Sequence, residues 1–317
     1  MRSQQRTKAV VTGGAGFIGS HLVRRLVADG GDVTVIDDLS TGRRENIDGI
    51  PVTIAERDLA RDPVIDLLEG VDVIFHLAAV PSVPRSVREP LRSHHAAATA
   101  TLRLLDAARE AKVRTFVNSS SSSVYGDVAT PPMRESMPTL PRSPYAVAKL
   151  AAEGYTRVFA QLHGMRTVSL RYFNVFGPRQ DPASTYAAAI PRFITAYMRR
   201  EQPQVYGDGR QSRDFTYVDN VVDANIAAAA APRLSGESVN IAAGSPRTVL
   251  EVLAAISKEF GYSLAPVHAP DRPGDIRDSH ADLSVARSLL GYTPTVDFQS
   301  GLRRTVEFLR EASTVRS

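Results

Sequence analysis

The sequence predicts an α/β fold, a doubly wound parallel sheet followed by a smaller, discontinuous C-terminal lobe. Three observations predict it. Through the first half of the chain, short β-branched runs alternate with helix-period segments, as in parallel strands joined by crossover helices. A glycine-rich turn separates the first strand from the first helix. After Arg171 the texture changes to short segments punctuated by proline and glycine, as at Gly177-Pro178, Asp181-Pro182 and Gly207-Asp208-Gly209.

The elements follow in order. Lys8 to Thr12 reads as a buried strand, and His21 to Ala28 as an amphipathic helix. Asp32 to Asp37 is a second strand, Val52 to Glu56 a weaker third, and Val71 to Leu77 a fourth that ends in small residues. Ala96 to Ala111 is helical, Thr115 to Ser119 a strand, Tyr145 to His163 a long helix, and Arg166 to Arg171 a further strand. Val239 to Ala242 reads as a late strand returning to the main sheet, and the tail from about Ser245 as one helix, Val249 to Phe260, among proline-rich loops. The expected division is a nucleotide-binding domain of residues 1–171 plus about 214–244, and a substrate lobe of about 172–213 plus 245–317.

The 317 residues, 43% hydrophobic and 23% charged, suit a globular enzyme-sized unit. No apolar run approaches the roughly 20 residues of a membrane span, and the polar start of the chain does not read as a signal peptide. There is no cysteine, so disulfides and thiolate metal sites are excluded, and no metal is expected. A cytoplasmic protein is expected. The formal charge of +4 comes with no basic block or aromatic-interleaved basic stripe, so neither nucleic acid nor membrane is expected as a partner.

In Thr12-Gly13-Gly14-Ala15-Gly16-Phe17-Ile18-Gly19, Gly14, Gly16 and Gly19 satisfy Gly-x-Gly-x-x-Gly, and Gly13, Gly16 and Gly19 a related spacing one residue longer. Such glycines permit a tight turn, close approach to a pyrophosphate and helix–strand packing, and the helix then points its free N–H groups at the phosphates. The strand–turn–helix setting makes this a Rossmann-type dinucleotide site. Asp37, at the end of the second strand, suits a ribose 2′-hydroxyl and repels a 2′-phosphate, which favours NAD over NADP.

Tyr145 and Lys149 stand four apart in Ser143-Pro144-Tyr145-Ala146-Val147-Ala148-Lys149, on one face of a helix. An ammonium near a phenol favours the phenolate and would lower the tyrosine pKa from about 10, making Tyr145 a base for a sugar hydroxyl. Only four of the 38 basic residues are lysine, so a lysine here is a choice against the chain's preference for arginine.

With these residues in hand, the chain resembles the extended short-chain dehydrogenases/reductases, specifically the UDP-sugar 4-epimerases, over nearly its whole length. The resemblance is carried by Thr12 to Gly19, Asp37 to Gly42, Asp58-Leu59, His76 to Ala79, Ser119 to Ser121 before Val124-Tyr125-Gly126, Tyr145 with Lys149, Arg171 to Asn174, Ser212 to Phe215, and Arg272 to Asp275. It implies a tightly held NAD touched by Gly13, Gly16, Phe17, Ile18, Gly19, Asp37, Asp38, Leu39, Ser40, Thr41, Gly42, Asp58, Leu59, Leu77, Ala78, Ala79, Ser119, Tyr145, Lys149 and Tyr172. It implies a catalytic set of Ser121, Tyr145 and Lys149. Tyr145 would take the 4-hydroxyl proton while hydride passes to NAD. The 4-keto sugar would turn over, and hydride and proton would return on its other face. Arg213 and Arg272 match the family's diphosphate-binding arginines, Asn174 a residue bridging phosphate and sugar, and Asp275 a ribose contact. Ser82 is a further candidate sugar contact. For Ser120, a strand-end turn satisfying its own backbone remains open. The resemblance also implies a homodimer built on the helices Ala96 to Ala111 and Tyr145 to His163, with small residues such as Ala97, Ala98 and Ala107 permitting close packing. One departure is Ala97, where relatives often carry an asparagine; it is expected to loosen NAD or the loop above it.

Related dehydratases place Asp-Glu just before the Val-Tyr-Gly unit, and decarboxylases a Glu. Here those positions are Ser122 and Ser123, which cannot serve as carboxyl acid or base, so simple epimerisation is favoured. The run Asp181 to Pro191 looks most like epimerases of N-acetylhexosamines, and Ser279 leaves room at the sugar 2-position where glucose-restricted members carry a tyrosine. Room does not exclude the smaller UDP-glucose. Ser122, Ser123 and nearby arginines also suit a glucuronate carboxylate, which keeps a UDP-glucuronate 4-epimerase open. A sugar-nucleotide dehydratase and a non-enzymatic NAD-binding sensor are the remaining alternatives.

Overall fold

The computed structural model describes residues 6–127, 130–181, 189–270 and 277–314. Seven parallel strands form the central sheet: β1 (Lys8–Thr12), β2 (Asp32–Asp37), β3 (Thr53–Glu56), β4 (Val73–His76), β5 (Thr115–Ser121), β6 (Arg166–Tyr172) and β7 (Glu237–Ile241). Their order is β7-β6-β5-β4-β1-β2-β3, so the chain reverses direction across the sheet between β1 and β4. In such sheets ligands lie beyond the carboxyl ends of the strands at that reversal. The late strand expected near Val239 pairs with β6 in parallel register, Val239 opposite Leu170.

Adjacent residues in each strand face opposite layers, so the sheet is apolar on both sides. Val10, Ile36, Ile74 and Phe116 pack with Leu104 and Phe159, whereas Val11, Val35, Phe75 and Val117 pack with Leu22, Val23 and Ala224. The first layer is covered by α2 (Ala100–Glu110) and α3 (Pro144–His163), the second by α1 (Phe17–Ala28), and by a later helix, Val218–Ala230, which packs against α1.

Helix α3 carries its own start and stop signals. Ser143 caps it by accepting the Ala146 N–H at 3.2 Å, Pro144 occupies the first turn, and Gly164 ends it in the left-handed conformation at φ 66°. The stretch before α2 is not one helix, as the sequence suggested. Pro90–His94 is α-helical, His95–Thr99 is a π turn, and only then does α2 begin.

A second apolar cluster lies outside the sheet. It gathers Phe193 and Ile194 of α4 (Ala189–Met198), Val218 at the start of α5 (Val218–Ala230), Val252 and Ile256 of α6 (Val249–Phe260), and Leu302 and Val306 of α7 (Phe298–Thr314). The tail therefore holds more helix than expected. Its signal was masked by the prolines around Pro294 and by a short helix, Ser284–Leu290. Chain and packing also cross the expected division. Phe215, Tyr217 and Val218 join the second cluster, while Leu283, Ala286 and Tyr292 join the core beneath β7. Three remote segments form a small sheet, Arg247–Thr248 beside Ser212–Arg213 beside Asp278–Ser279. No helix among the described residues is long and apolar enough to cross a membrane.

Candidate active site

The turn between β1 and α1 requires its glycines. Gly13 has φ 68°, and a Cβ there would lie 2.8 Å from the Ala78 nitrogen; a Cβ on Gly19 would lie 2.1 Å from the Gly13 carbonyl oxygen. Gly13, Gly16 and Gly19 are therefore the working triad, while Gly14 faces Val35 in the core. Gly16 caps α1 without a side-chain acceptor, so among the described residues no capping side chain takes the first-turn N–H groups of α1. Asp37 is buried. Its carboxylate accepts the Ala15 and Leu39 N–H groups at 2.9 Å each, and burial pushes its pKa up against those two bonds. Asp38 is turned outward and accepts both the N–H and the hydroxyl of Ser40.

These groups open onto a cavity of about 1200 Å³. Every residue expected to touch the cofactor lines it, from Gly13 to Gly19 at one end, through Asp37 to Gly42, Asp58 and Leu59, to Ser119, Tyr145, Lys149 and Tyr172. A glycine cradle, an uncapped helix end and a buried carboxylate at the end of β2 fit a dinucleotide and its unphosphorylated ribose. Sequence reasoning missed the far wall, made by Arg179, Gln180 and Asp181 and by Phe308, Leu309 and Ala312 of α7. Nothing in an amphipathic tail helix signals that it will cover a turn almost 300 residues earlier.

A hydrogen-bond chain ties the floor of the cavity together. The Ala78 N–H donates to Thr12 Oγ1, whose hydroxyl meets His76 Nδ1 at 2.8 Å; His76 Nε2 meets Thr101 Oγ1 at 2.9 Å, and Thr101 donates to the Ala97 carbonyl. Burial pushes His76 down to about 3, so it is neutral, and the chain of donors assigns its proton to Nε2. The Ala97 side chain packs with Ala98 against Ala148 of α3, while Ala96 and Ala100 line the cavity.

Helix α3 lays Tyr145 and Lys149 beside the end of β5. Lys149 Nζ donates to the Ser119 carbonyl at 2.6 Å and lies 3.3 Å from its hydroxyl, and Tyr145 is hydrogen-bonded to Ser121. The expected depression of the Tyr145 pKa is not what this arrangement produces. Burial pushes the phenol up, the Ser121 bond alone opposes it, and the Lys149 ammonium is spent on Ser119 rather than on the phenol. Burial also pushes Lys149 down, to about 8, with Glu153 pulling it back up. Tyr172 is buried and hydrogen-bonded to Asn225.

Of the expected sugar contacts, Ser121 accepts from both the N–H and the hydroxyl of Ser123. Ser122 and Ser123 form the 3-10 turn that follows, both half-buried. Ser82 caps the helix Val83–Arg88 through the Arg85 N–H. Asn174 sits at φ 31°, directly after the Phe173 core residue. Arg213 and Ser279 are register partners in the small sheet, and the Arg213 guanidinium donates to the Ser212 and Arg277 carbonyls. Arg272 and Asp275, and Pro182 to Ala188 of the Asp181 to Pro191 run, lie outside the described residues. Among the described residues no cluster of ligands suited to a metal ion occurs.

Comparison with known proteins completes the description. The model of the NAD-dependent epimerase/dehydratase family matches residues 9–242. The chain is 40% identical over 313 residues to a UDP-glucose 4-epimerase of Mycolicibacterium smegmatis, covering 96% of this chain and 99% of that one. A UDP-N-acetylglucosamine 4-epimerase of Methanobrevibacter ruminantium, solved with UDP-N-acetylmuramic acid, superposes with a TM-score of 0.93 at 41% identity, over 98% of this chain and 100% of that one. A UDP-glucuronic acid 4-epimerase of Bacillus cereus, solved with UDP-glucuronic acid and NAD, does so with a TM-score of 0.90 at 32% identity, over 96% and 100%. Matched along nearly its whole length, and carrying a cavity whose donors suit the cofactor in that family's name, the chain belongs to the NAD-dependent epimerase/dehydratase family.

Proposed function

We propose that the protein is an NAD-dependent UDP-sugar 4-epimerase that interconverts UDP-N-acetylglucosamine and UDP-N-acetylgalactosamine, and also accepts UDP-glucose and UDP-galactose. The observation that carries this reading is the Ser121–Tyr145 hydrogen bond beside Lys149 at one end of the dinucleotide cavity, with hydroxyls rather than carboxyls at Ser122 and Ser123. Without a carboxyl acid there, elimination of water or loss of carbon dioxide lacks its proton-transfer group.

NAD, when bound, supplies the acceptor and donor of hydride for carbon 4. The chain's own residues handle the proton and the orientation. Tyr145 takes the proton of the 4-hydroxyl and returns it, a reversible step that general acid–base groups accelerate by about 10²–10⁴. Ser121, hydrogen-bonded to the phenol, fixes the sugar oxygen and supports the phenolate as the proton arrives. Lys149 adds positive charge beneath the phenolate as long as it stays protonated. Arg213, with Arg272, holds the diphosphate, where guanidinium forks suit phosphate oxygens. Asn174 and Asp275 then position the sugar and ribose, and Ser82, capping the helix Val83–Arg88, adds a further sugar contact. The buried, small Ser279 beside Met133 supports room for an N-acetyl group.

The division into a nucleotide-binding domain of residues 1–171 plus about 214–244 and a substrate lobe of the remainder belongs to the same reading. So do a cytosolic location and a homodimer. Of the small residues expected at the dimer face, Ala97, Ala98, Ala100 and Ala108 are buried within the chain, whereas Ala96 and Ala107 are half-buried. The apolar residues that α2 and α3 expose are instead Leu102, Val147, Tyr155, Val158 and Leu162, a stripe whose α3 part recurs with helical spacing.

Proton NMR tests the reaction. Purified protein is incubated separately with UDP-N-acetylglucosamine, UDP-glucose and UDP-glucuronate, alongside Tyr145→Phe. The expected outcome is the galacto isomer from the first two with the wild type, and a rate lower by at least about 10² with Tyr145→Phe. Turnover of UDP-glucuronate alone would move the substrate to the uronate, a keto-deoxy product would reveal a dehydratase, and no change in any tube would overturn the reading for these sugars.

A further inference from the structure

Tyr145 and Lys149 are two members of a row of three. Glu153 follows at the same spacing, one turn further along α3, and the end of β5 answers the row with three consecutive serines. Ser121 bonds Tyr145, Ser119 bonds Lys149, and Ser120 donates to Glu153 Oε1 at 2.5 Å. Ser120 is thus engaged with a side chain of the row, not folded back on its own backbone.

Glu153 is 2% exposed, and its carboxylate is saturated. Arg171 grips it through Nε at 2.9 Å and Nη2 at 2.7 Å, and Ser238 donates from β7 at 2.9 Å. Arg171, 3% exposed, stacks 4.7 Å from the centroid of the Tyr125 ring. A buried ion pair of this kind is a poor investment in stability alone, because apolar side chains of similar volume often hold a core as well. Its position is more telling. The carboxylate gripped by Arg171 lies one helical turn along α3 from Lys149.

We propose that Glu153 is a positioning residue for the chemistry at Tyr145: its carboxylate, held in place by Arg171, Ser120 and Ser238 one helical turn from Lys149, favours the charged lysine that a tyrosinate needs near it. The proposal rests on Tyr145 and Lys149 being the catalytic pair. Among the described residues, the charged and titratable groups around Lys149 are Tyr145 and Glu153 on α3, His76 at the end of β4, Tyr172 on β6, and Arg171 through its pair with Glu153. His76 and the two tyrosines are neutral at working pH, and Arg171 is positive. Glu153 is therefore the negative group among them, and it opposes the burial that brings Lys149 down to about 8.

The chain's four lysines make Lys149 directly observable. Protein carrying ¹³C at the lysine ε-carbon, purified with its NAD, is titrated by NMR, with the Lys149 signal assigned by its loss in Lys149→Met. The expected wild-type result is a Lys149 midpoint well below the usual lysine value of about 10.4. Glu153→Gln should lower that one midpoint by a further unit or more, to about 7 or less. The alkaline limb of kcat should move with it, leaving KM and NAD content in place and costing about fivefold in kcat near pH 8, rising toward about tenfold above it. If Glu153→Gln fails to fold, Glu153→Gln/Arg171→Gln removes both buried charges together, and the Lys149 midpoint should still fall. A Lys149 midpoint unmoved in a folded variant lacking the Glu153 charge overturns the proposal. A moved midpoint in a protein that epimerises no sugar would instead overturn the catalytic reading on which it rests.

Discussion

A methyl group added at Gly19 would sit 2.1 Å from the Gly13 carbonyl oxygen, and that oxygen belongs to backbone with no freedom to yield. Gly19→Ala should therefore distort the first turn of α1 and spoil the phosphate end of the cavity. We expect the bound NAD released on denaturation, read by absorbance, to fall at least about tenfold against wild type, with the sheet intact by circular dichroism; full NAD content would refute this. At this scale the sequence was informative wherever a residue type is forced by geometry. Glycine spacing, a carboxylate after β2 and a tyrosine four before a lysine are demands that few other residues meet. Properties set by surroundings were not legible. Whether Tyr145 is made more or less acidic depends on where the Lys149 ammonium points, and it points to a strand 30 residues away. Glu153 gave no signal at all, since a glutamate in a helix is ordinary until its partners arrive from β5, β6 and β7.

The chain of hydrogen bonds through His76 joins the ends of β1 and β4 to α2, and it holds only while the imidazole is neutral. Burial keeps His76 at about 3 and His21 at about 4, both below the ordinary 6.5. Between those values the unfolded chain binds more protons than the native one, so this stability is complete above about 6.5 and is lost as pH falls toward 4. The melting temperature should drop across that interval, and His76→Gln should show a shallower drop from a lower start; equal slopes in variant and wild type would count against the chain. Strands of the sheet were legible as elements because two covered faces leave continuous apolar runs, and β1 and β2 match expectation residue for residue. The π turn before α2 was not legible. His95-Ala96-Ala97-Ala98-Thr99 carries no local signal for a π turn, and the packing of Ala97 and Ala98 against Ala148 comes from a remote helix.

At the scale of the whole molecule, α2 and α3 cover the sheet yet leave Val147, Tyr155, Val158 and the 72%-exposed Leu162 facing outward. A second copy that buries this stripe should be lost when it is made charged. Leu162→Asp with Val158→Asp is expected to halve the mass measured by light scattering, without lowering the melting temperature of the chain below that of an isolated wild-type subunit; a wild type that is already monomeric would remove the dimer from the account. The fold class was legible because alternation of strand and helix is a long-range pattern that needs no contact to be read. The second cluster was not, because its members come from separated stretches between Phe176 and Leu309 and cohere only once the sheet has placed them. The position of α7 against the dinucleotide cavity carries one more consequence. The glycines of the cradle are synthesised first and Ala78 and Asp37 soon after, but Phe308, Leu309 and Ala312 can close the opposite wall only when nearly 300 residues have followed the glycines. A nascent chain thus offers the nucleotide a half-open shelf, and firm retention of the dinucleotide reports that the last helix has docked.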